Sequence, residues 1–245
     1  MIRFQMKKWA QTEVKSGDLS QRLVTISEPA SAVSEAYRTL RTNLLYTQVD
    51  APSKVIVVTS HGSAEGKSTV CANLGVVLAQ AGKNTLLVDC DLRKPSLHKV
   101  FGLRNVRGMV DVLAGRHDLR ENWQEVCQEP LPDLSVLAVG TLPPNPAELL
   151  LSRSFSEFLA DVRQEFDYVL VDSPPVGFVS DAAIIAAQAD GVLLALDAQR
   201  TRKERVRRAV HSLRSKRVNV LGTIMNNVEG SENGYYLDTR YTGEG

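Results

Sequence analysis

The chain has 245 residues, a formal net charge of +1 and 43% hydrophobic residues, enough for one sizeable core, so one domain is the simplest count. Its three cysteines are scattered and lack a C-x-x-C spacing, which argues against a disulfide framework or a structural zinc site and indicates a reducing compartment. The longest weakly polar stretch, 182–196, is shorter than a membrane-spanning helix and is interrupted by polar residues. We therefore expect a cytoplasmic protein.

The N-terminal part is predicted to hold an arm followed by a helix. Residues 1–23 include basic residues but no apolar core and no small-residue cleavage site, so they do not form a secretory signal. We expect a mobile arm, and a basic amphipathic surface anchor is the alternative. The helix is predicted over 31–48, with an apolar stripe on one side and Glu35, Arg38 and Arg41 on a different arc. This charged arc is either a solvated face with internal Glu–Arg pairs or a contact surface.

The next feature, SHGSAEGKST at 60–69, joins a predicted strand at 54–59 to a predicted helix at 67–81 and is typical of a phosphate-binding loop. Such a junction directs backbone N–H groups and the positive end of the helix dipole at one point. Lys67 can reach the β- and γ-phosphates, and the Ser68 hydroxyl suits Mg²⁺. An ordinary strand-to-helix turn is the alternative. The predicted nucleotide-binding residues of the loop are Gly62, Ser63, Ala64, Glu65, Gly66, Lys67, Ser68 and Thr69.

Acidic residues follow two further apolar runs, which are predicted to be strands at 84–90 and 168–172. Asp89 and Asp91 stand at the end of the first, and Asp172 ends the second, at the edge where open α/β sheets bind ligands. A single acid after a strand is often a helix cap or a turn residue. Three such sites in this order indicate a pocket for a nucleotide and Mg²⁺, with the loop on the phosphates and the acids for the metal and a base.

The remaining chain continues the alternation of strands and helices. Residues 122–133 are predicted to be a loop and 143–146 a connector, whereas the tail, 229–245, is predicted to be flexible. The alternation predicts an α/β fold, with a mostly parallel sheet and helices on both faces. Further strands are predicted at 134–139, 191–197 and 218–225, and further helices near 107–114, 153–165, 180–188 and 201–216.

Four strings carry a resemblance to a known family: SHGSAEGKST, LLVDCDLRKP, GTLPPNPAELL and YVLVDSPP. Together they resemble the bacterial tyrosine kinases of capsule and exopolysaccharide synthesis, whose fold is similar to that of the partitioning and division-site P-loop ATPases. The resemblance covers nearly the whole chain from about Val24. It implies a P-loop kinase domain at 24–228, with ATP and Mg²⁺ as cofactors.

The resemblance also implies roles at the cleft. Lys67, Asp89, Asp91 and Asp172 are the expected catalytic residues, with Asp89 as the candidate base. Ser68, Asp91 and Asp172 are the expected metal ligands. Asn226, after the last predicted strand, stands where the family places an asparagine near the nucleotide base, and a turn residue is the alternative there.

Two further roles concern assembly and the phosphoacceptor. Glu35, Arg38 and Arg41 match the E-x-x-R-x-x-R pattern by which members of the family form rings, so 31–48 is the expected oligomerisation helix. In the tail, a cluster of tyrosines stands where a neighbouring subunit phosphorylates the family's C-terminal residues, and docking of these aromatic rings on a surface is the alternative. The expected phosphoacceptors are Tyr235, Tyr236 and Tyr241.

The implied partners are further copies of the chain, protein tyrosine substrates and a membrane-spanning polysaccharide chain-length regulator that activates the kinase and recruits it to the inner face of the plasma membrane. No nucleic-acid partner is expected, because the net charge is near zero. The alternatives are a partitioning-type ATPase switch without kinase activity and a scaffold with a degenerate loop. Against the switch, its relatives carry an additional lysine where this loop has Gly62.

Charge is distributed unevenly near the C-terminus. Residues 200–217 hold nine Lys and Arg against one acid, whereas 229–245 hold four acids against Arg240. These local charges of +8 and −3 predict an attraction that phosphorylation of the tail would alter. The alternative is that the arginines merely cover the solvent face of a helix.

Overall fold

The computed structural model describes residues 21–46, 53–116 and 125–229. The predicted phosphoacceptors Tyr235, Tyr236 and Tyr241 lie outside these residues, as does most of the predicted arm. Within the described part, seven strands form one sheet with the order β3-β4-β2-β5-β1-β6-β7. The strands are β1 (Val55–Ser60), β2 (Thr85–Asp89), β3 (Cys127–Leu131), β4 (Leu134–Leu137), β5 (Tyr168–Asp172), β6 (Gly191–Asp197) and β7 (Val220–Asn226).

The sheet is parallel except at one edge, where β3 pairs antiparallel with β4. Strands β1, β2, β5 and β6 are buried along their whole length. They read as nearly continuous apolar runs because a parallel sheet is covered by helices on both faces. The predicted fold class, a mostly parallel α/β sheet, is confirmed.

The helices of the described part pack in two layers. Helix α3 is buried along most of its length and carries α1 and α2 on its outer side, whereas α5, α7 and α8 pack with the apolar cluster of the other face. The helices are α1 (Val24–Ser27), α2 (Ala32–Tyr46), α3 (Lys67–Gln80), α4 (Leu97–Val100), α5 (Met109–Leu113), α6 (Pro146–Leu150), α7 (Arg153–Glu165), α8 (Asp181–Ala186) and α9 (Lys203–Arg214).

One predicted loop is wrong over its described part. Residues 122–133 were expected to be irregular, yet β3 occupies Cys127–Leu131. The strand lies at the edge of the sheet, buries its two ends and leaves the residues between them partly or fully exposed. An edge strand can hold Pro130, because the missing N–H does not interrupt pairing on both sides, and so polarity and proline hid the strand in the sequence.

A second correction concerns the proline-rich connector at 143–146. Pro146 does not extend the connector but begins α6, where a proline is tolerated because the first N–H groups of a helix have no partner within it. Leu150 at the end of α6 is buried, so the short helix is held by packing.

The end of the predicted arm is described and packs against the domain. Leu23 is 1% exposed. The Asn73 side chain of α3 donates from Nδ2 to the Arg22 carbonyl at 2.7 Å and accepts from the Thr25 hydroxyl at 2.8 Å. The chain before α2 is therefore fastened to the helix that follows the phosphate-binding loop.

Candidate active site

The site lies where parallel strands end at one edge of the sheet. Ser60, Asp89, Asp172, Asp197 and Asn226 are the last residues of β1, β2, β5, β6 and β7. The carboxyl ends of parallel strands form the crevice in which open α/β sheets bind ligands. The runs that precede Ser60, Asp89, Asp172 and Asp197 are buried in the core and hold these residues at this edge, whereas β7, which ends at Asn226, is an edge strand without a buried residue.

The loop between β1 and α3 turns on two residues with left-handed backbone. Gly66 has φ 89° and Ala64 has φ 61°, and α3 begins immediately afterwards at Lys67. A Cβ atom on Gly66 would lie 2.3 Å from the Asn226 Nδ2 atom, so both the conformation and the close approach favour glycine. His61, where the common loop pattern has glycine, does not have a positive φ.

Glu65 holds the loop from within. It is buried, its Oε2 atom accepts the Gly62 N–H at 2.8 Å, and its Oε1 atom accepts the Thr201 hydroxyl at 2.5 Å. Asn226 donates from Nδ2 to the Glu65 carbonyl at 2.8 Å. In this structure Asn226 therefore supports the loop backbone. The role of Glu65 depends on Thr201 and was not visible in the sequence.

Lys67 joins the predicted acids. Its Nζ atom lies 2.9 Å from Asp91 Oδ2, 3.2 Å from Asp172 Oδ1 and 3.2 Å from the Ser68 hydroxyl. Burial alone would lower the pKa of the ammonium, but the Asp172 and Asp91 carboxylates hold it above the ordinary lysine value. The structure thus brings four of the predicted site residues into one charged cluster.

Asp89 lies beneath this cluster and is 0% exposed. Its Oδ2 atom accepts the N–H groups of Ser96 and Leu97 at 2.8 and 3.0 Å, and Oδ1 accepts the Asp91 N–H at 3.2 Å. Burial and the Asp172 carboxylate raise the pKa of Asp89 to about 7, although the backbone donors oppose them. Asp89 thereby fixes the segment that presents Asp91 and begins α4.

The donor set fits Mg²⁺. No group of three or more His, Cys, Asp or Glu that could hold a metal occurs in the ranges the structure covers. Ser68, Asp91 and Asp172 nevertheless supply hydroxyl and carboxylate oxygens around the Lys67 ammonium, and Ser96 donates its hydroxyl to Ser68 at 2.7 Å. Mg²⁺ is commonly bound by one or two carboxylates together with substrate phosphates, so this set suffices.

A cleft of about 480 Å³ opens above the loop. Of the predicted catalytic and nucleotide-binding residues, Asp91 lines it, whereas five do not: Gly62, Glu65, Asp89, Asp172 and Asn226. Several lining residues were not predicted, because only the folded chain brings them to the loop. The cleft is lined by Arg22, Ser63, Ala64, Gly66, Lys67, Ser68, Thr69, Asp91, Arg93, Lys94, Ser96, Pro174, Pro175, Phe178 and Val179.

Arg93 is the most strongly held of these additional residues. Its guanidinium donates from Nε and Nη2 to the two carboxylate oxygens of Asp181 at 2.8 and 3.3 Å. Asp181, the first residue of α8, is 1% exposed. A two-point contact fixes the plane of the guanidinium. Arg93 follows the D-x-D sequence by two positions, which is the signal that could have pointed to it.

The charged arc of α2 is occupied within the chain. Arg38 bonds Glu35 at 2.8 Å and the Pro29 carbonyl at 2.5 Å, and Arg41 donates to the Val77 carbonyl at 3.0 Å. The Glu35 side chain is 60% exposed and that of Arg38 31%. These contacts are made by one protomer, and the predicted contact between subunits stays a prediction.

No helix in the described residues is long and apolar enough to cross a membrane. The cysteines Cys71, Cys90 and Cys127 are all free and buried. Burial raises the pKa of each thiol above its ordinary value, which keeps the thiols protonated and unreactive.

Comparison with known proteins agrees with a P-loop site and with the resemblance noted in the sequence. The family ParA, described as NUBPL iron-transfer P-loop NTPase, matches residues 51–233. The chain is 40% identical to the tyrosine-protein kinase YwqD of Bacillus subtilis (strain 168) over 221 residues, which cover 89% of this chain and 92% of that relative.

Two solved structures extend the comparison. The kinase domain of the Escherichia coli tyrosine kinase ETK matches with a TM-score of 0.80 at 30% identity, covering 87% of this chain and 83% of that chain. The septum site-determining protein MinD of Pyrococcus horikoshii, complexed with Mg-ADP, matches with a TM-score of 0.61 at 24% identity, covering 72% and 71%. The second match is a likeness of fold, and it agrees with the prediction that the fold is similar to that of the division-site ATPases.

Proposed function

Since the chain belongs to the bacterial tyrosine kinases, within the ParA group of P-loop NTPases, we propose that it transfers the γ-phosphoryl group of ATP to tyrosines in the C-terminal tail of a neighbouring subunit. The expected acceptors are Tyr235, Tyr236 and Tyr241. The observation that carries the proposal is the cluster of Lys67, Asp91 and Asp172 directly beside the loop.

The loop and Lys67 bind the phosphates. Backbone N–H groups at the start of α3 face the cleft, where the positive end of the helix dipole favours anions. The Lys67 ammonium, now bonded to two carboxylates, lines the same cleft and can pair with the β- and γ-phosphates instead. Bound by Ser68, Asp91 and Asp172, Mg²⁺ would supply further positive charge at these phosphates.

In the reaction, the phenol oxygen of a tyrosine forms a bond to the γ-phosphorus as the bond to the β-phosphate oxygen breaks, and ADP leaves. The phenol proton passes to a carboxylate, for which Asp89 is the predicted acceptor. Asp89 is buried beneath Asp91 in this conformation. Asp91 lines the cleft, so replacing each acid separately tests which of them takes the proton.

The wider setting is part of the proposal. Contacts of Glu35, Arg38 and Arg41 between subunits would build the ring that offers each tail to a neighbour. A membrane-spanning polysaccharide chain-length regulator would activate the kinase and recruit it to the inner face of the plasma membrane. The output would be control of exopolysaccharide or capsule synthesis and export, with other protein tyrosines as further substrates.

The test is incubation of the purified chain with Mg²⁺ and ATP, with and without the cytoplasmic peptide of a candidate regulator, followed by mapping of phosphotyrosine by mass spectrometry. Phosphate on Tyr235, Tyr236 or Tyr241 that is lost in Lys67→Met supports the proposal. ATP hydrolysis without phosphotyrosine, even with an activator proven on a related kinase, would instead identify an ATPase switch.

A further inference from the structure

Helix α9 presents a strongly basic surface to solvent. Its apolar residues Val206, Ala209, Val210 and Leu213 pack toward the sheet. Arg207, Arg208 and Arg214 are all exposed. Arg207 and Arg214 are seven positions apart, which places them on the same side of the helix, and Arg208 follows Arg207 directly. We call these three residues, with the exposed Arg202, Lys203, Arg205, Lys216 and Arg217, the basic face.

Within the described residues, the basic face has no acidic partner. None of its side chains forms an ion pair with an acid in the part of the chain that the structure describes. Elsewhere in those ranges, six arginines are ion-paired: Arg38, Arg93, Arg107, Arg116, Arg153 and Arg163. A concentration of unpaired arginines on one surface is suited to an anionic partner, above all to phosphate, which the guanidinium binds at two points.

The residues that precede the tail contact the connection between β6 and α9. The Asn226 carbonyl at the end of β7 accepts the Ala198 N–H at 2.9 Å, and the Asn227 side chain donates to Asp197 at 2.9 Å. Asp197 and Ala198 begin the connection that leads to α9 at Lys203. The described chain ends at Glu229, two positions after Asn227, which is bonded to this connection.

The tail and α9 also match in length and in charge. Six residues of extended chain, the separation of Tyr235 and Tyr241, span about 20 Å, and the 12 residues of α9 span about 18 Å. The tail carries four acids against Arg240. Phosphorylation of its three tyrosines would add roughly −4.5 to −6 of charge.

We propose that the basic face of α9 is the docking site for the phosphorylated tail of the same chain. The inference rests on the proposed function, because it takes the phosphotyrosines as its ligand. Before phosphorylation the tail is only weakly attracted and is free to enter a neighbouring cleft. After phosphorylation its phosphates pair with the arginines, and the product is withdrawn from the cleft.

The test uses a fluorescent synthetic peptide of residues 229–245, made with phosphate on all three tyrosines, and its unmodified form. Binding to the full-length, unphosphorylated chain is measured by fluorescence anisotropy at increasing salt. We expect the phosphorylated peptide to bind at least about tenfold more tightly than the unmodified peptide. Its affinity should fall as salt rises, since the pairs are exposed.

Two variants locate the site. Arg207→Gln/Arg208→Gln/Arg214→Gln should weaken binding of the phosphorylated peptide by at least about tenfold. Lys83→Gln/Lys99→Gln/Arg104→Gln removes the same charge elsewhere and should change it by less than about twofold. Arg207→Lys/Arg208→Lys/Arg214→Lys keeps the charge and should restore part of the affinity.

Equal binding by the first two variants, or equal affinity for both peptides, would overturn the proposal. So would selective loss, in the first variant, of binding to phosphatidylcholine–phosphatidylglycerol vesicles or to duplex DNA without loss of peptide binding. These results would assign the basic face to a membrane or a nucleic acid. Because the peptide is phosphorylated by synthesis, failure here and failure of the kinase assay are independent results.

Discussion

The nucleotide cleft and the basic face of α9 differ in how their charged side chains are buried and paired. At the floor of the phosphate-binding loop, Lys67, Asp91 and Asp172 are nearly removed from solvent, and each has a partner of opposite charge. On α9, Arg207, Arg208 and Arg214 are exposed, with no ion pair to the described residues. Buried charges must be compensated within the protein, whereas exposed charges are held by water and remain available to a partner.

The largest effect is expected for Lys67→Met, which removes an ammonium bonded to two buried carboxylates. Loss of this charge at the transferred phosphoryl group should lower kcat by about 10²- to 10³-fold. Asp91 and Asp172 would also lose their partner, so the melting temperature in the absence of nucleotide should change. Phosphotyrosine formation and calorimetry measure the two effects.

Lys99→Met is the matched control, because Lys99 is exposed and does not line the cleft. Normal kinase activity in Lys67→Met, or an equal loss in Lys99→Met, would contradict the central place given to Lys67.

The second prediction separates the two acids of the D-x-D sequence. Asp89→Asn replaces an oxygen that accepts backbone N–H groups, so it should lower the free energy of unfolding by about 1–3 kcal/mol. Asp91→Asn should cost less stability, because Asp91 lies at the cleft and Lys67 keeps Asp172. Urea unfolding gives the comparison.

Kinase assays on Asp89→Asn and Asp91→Asn separate the roles of the two acids in the reaction. A fall in kcat for Asp89→Asn with unchanged ATP affinity would favour Asp89 as proton acceptor, whereas Asp91→Asn should weaken Mg²⁺-ATP binding. Equal stability of the two variants would show that the buried contacts of Asp89 contribute nothing.

A third prediction concerns the backbone of the cleft. Gly66→Ala puts a Cβ atom at a left-handed residue that lies against Asn226, and we expect a loss of about 1–2 kcal/mol in unfolding free energy. Asn226→Ala in the same chain removes the collision but not the backbone strain, so the double variant should recover part of the loss. Additive losses in a double-mutant cycle would contradict the contact.

The smallest effect is expected on α9. Arg207→Gln/Arg208→Gln/Arg214→Gln removes three exposed charges without changing the packed stripe, so its unfolding free energy should stay within about 0.5 kcal/mol of the parent chain. Urea unfolding checks this value. A larger loss would mean that these arginines stabilise the fold, as the paired charges of the cleft do, and would contradict the comparison.

Much of this organisation was predictable because it is local in sequence. The runs that end at Asp89 and Asp172 are buried strands, and Lys67 and Ser68 begin the helix that follows the loop. Apolar runs of this kind predict a parallel sheet, in which the carboxyl ends of the strands lie at one edge.

The rest depends on contacts between distant segments. Arg22 and Thr201 reach the loop or its cleft only after folding, and Asp181 fixes Arg93 across 88 positions of sequence. Strand β3 was missed because it is half exposed and contains Pro130, both allowed at a sheet edge. Periodicity records burial on one element, and it carries no signal for such pairings.

Glu65 and Asn226 connect the phosphate-binding loop with two segments near the C-terminus. Asn226 is bonded to the loop backbone, and it ends the strand from which the tail continues, nine positions before Tyr235. Thr201, bonded to Glu65, stands at the entrance to α9. Through Glu65, the phosphate-binding loop is therefore hydrogen-bonded both to the end of β7 and to the segment that precedes α9.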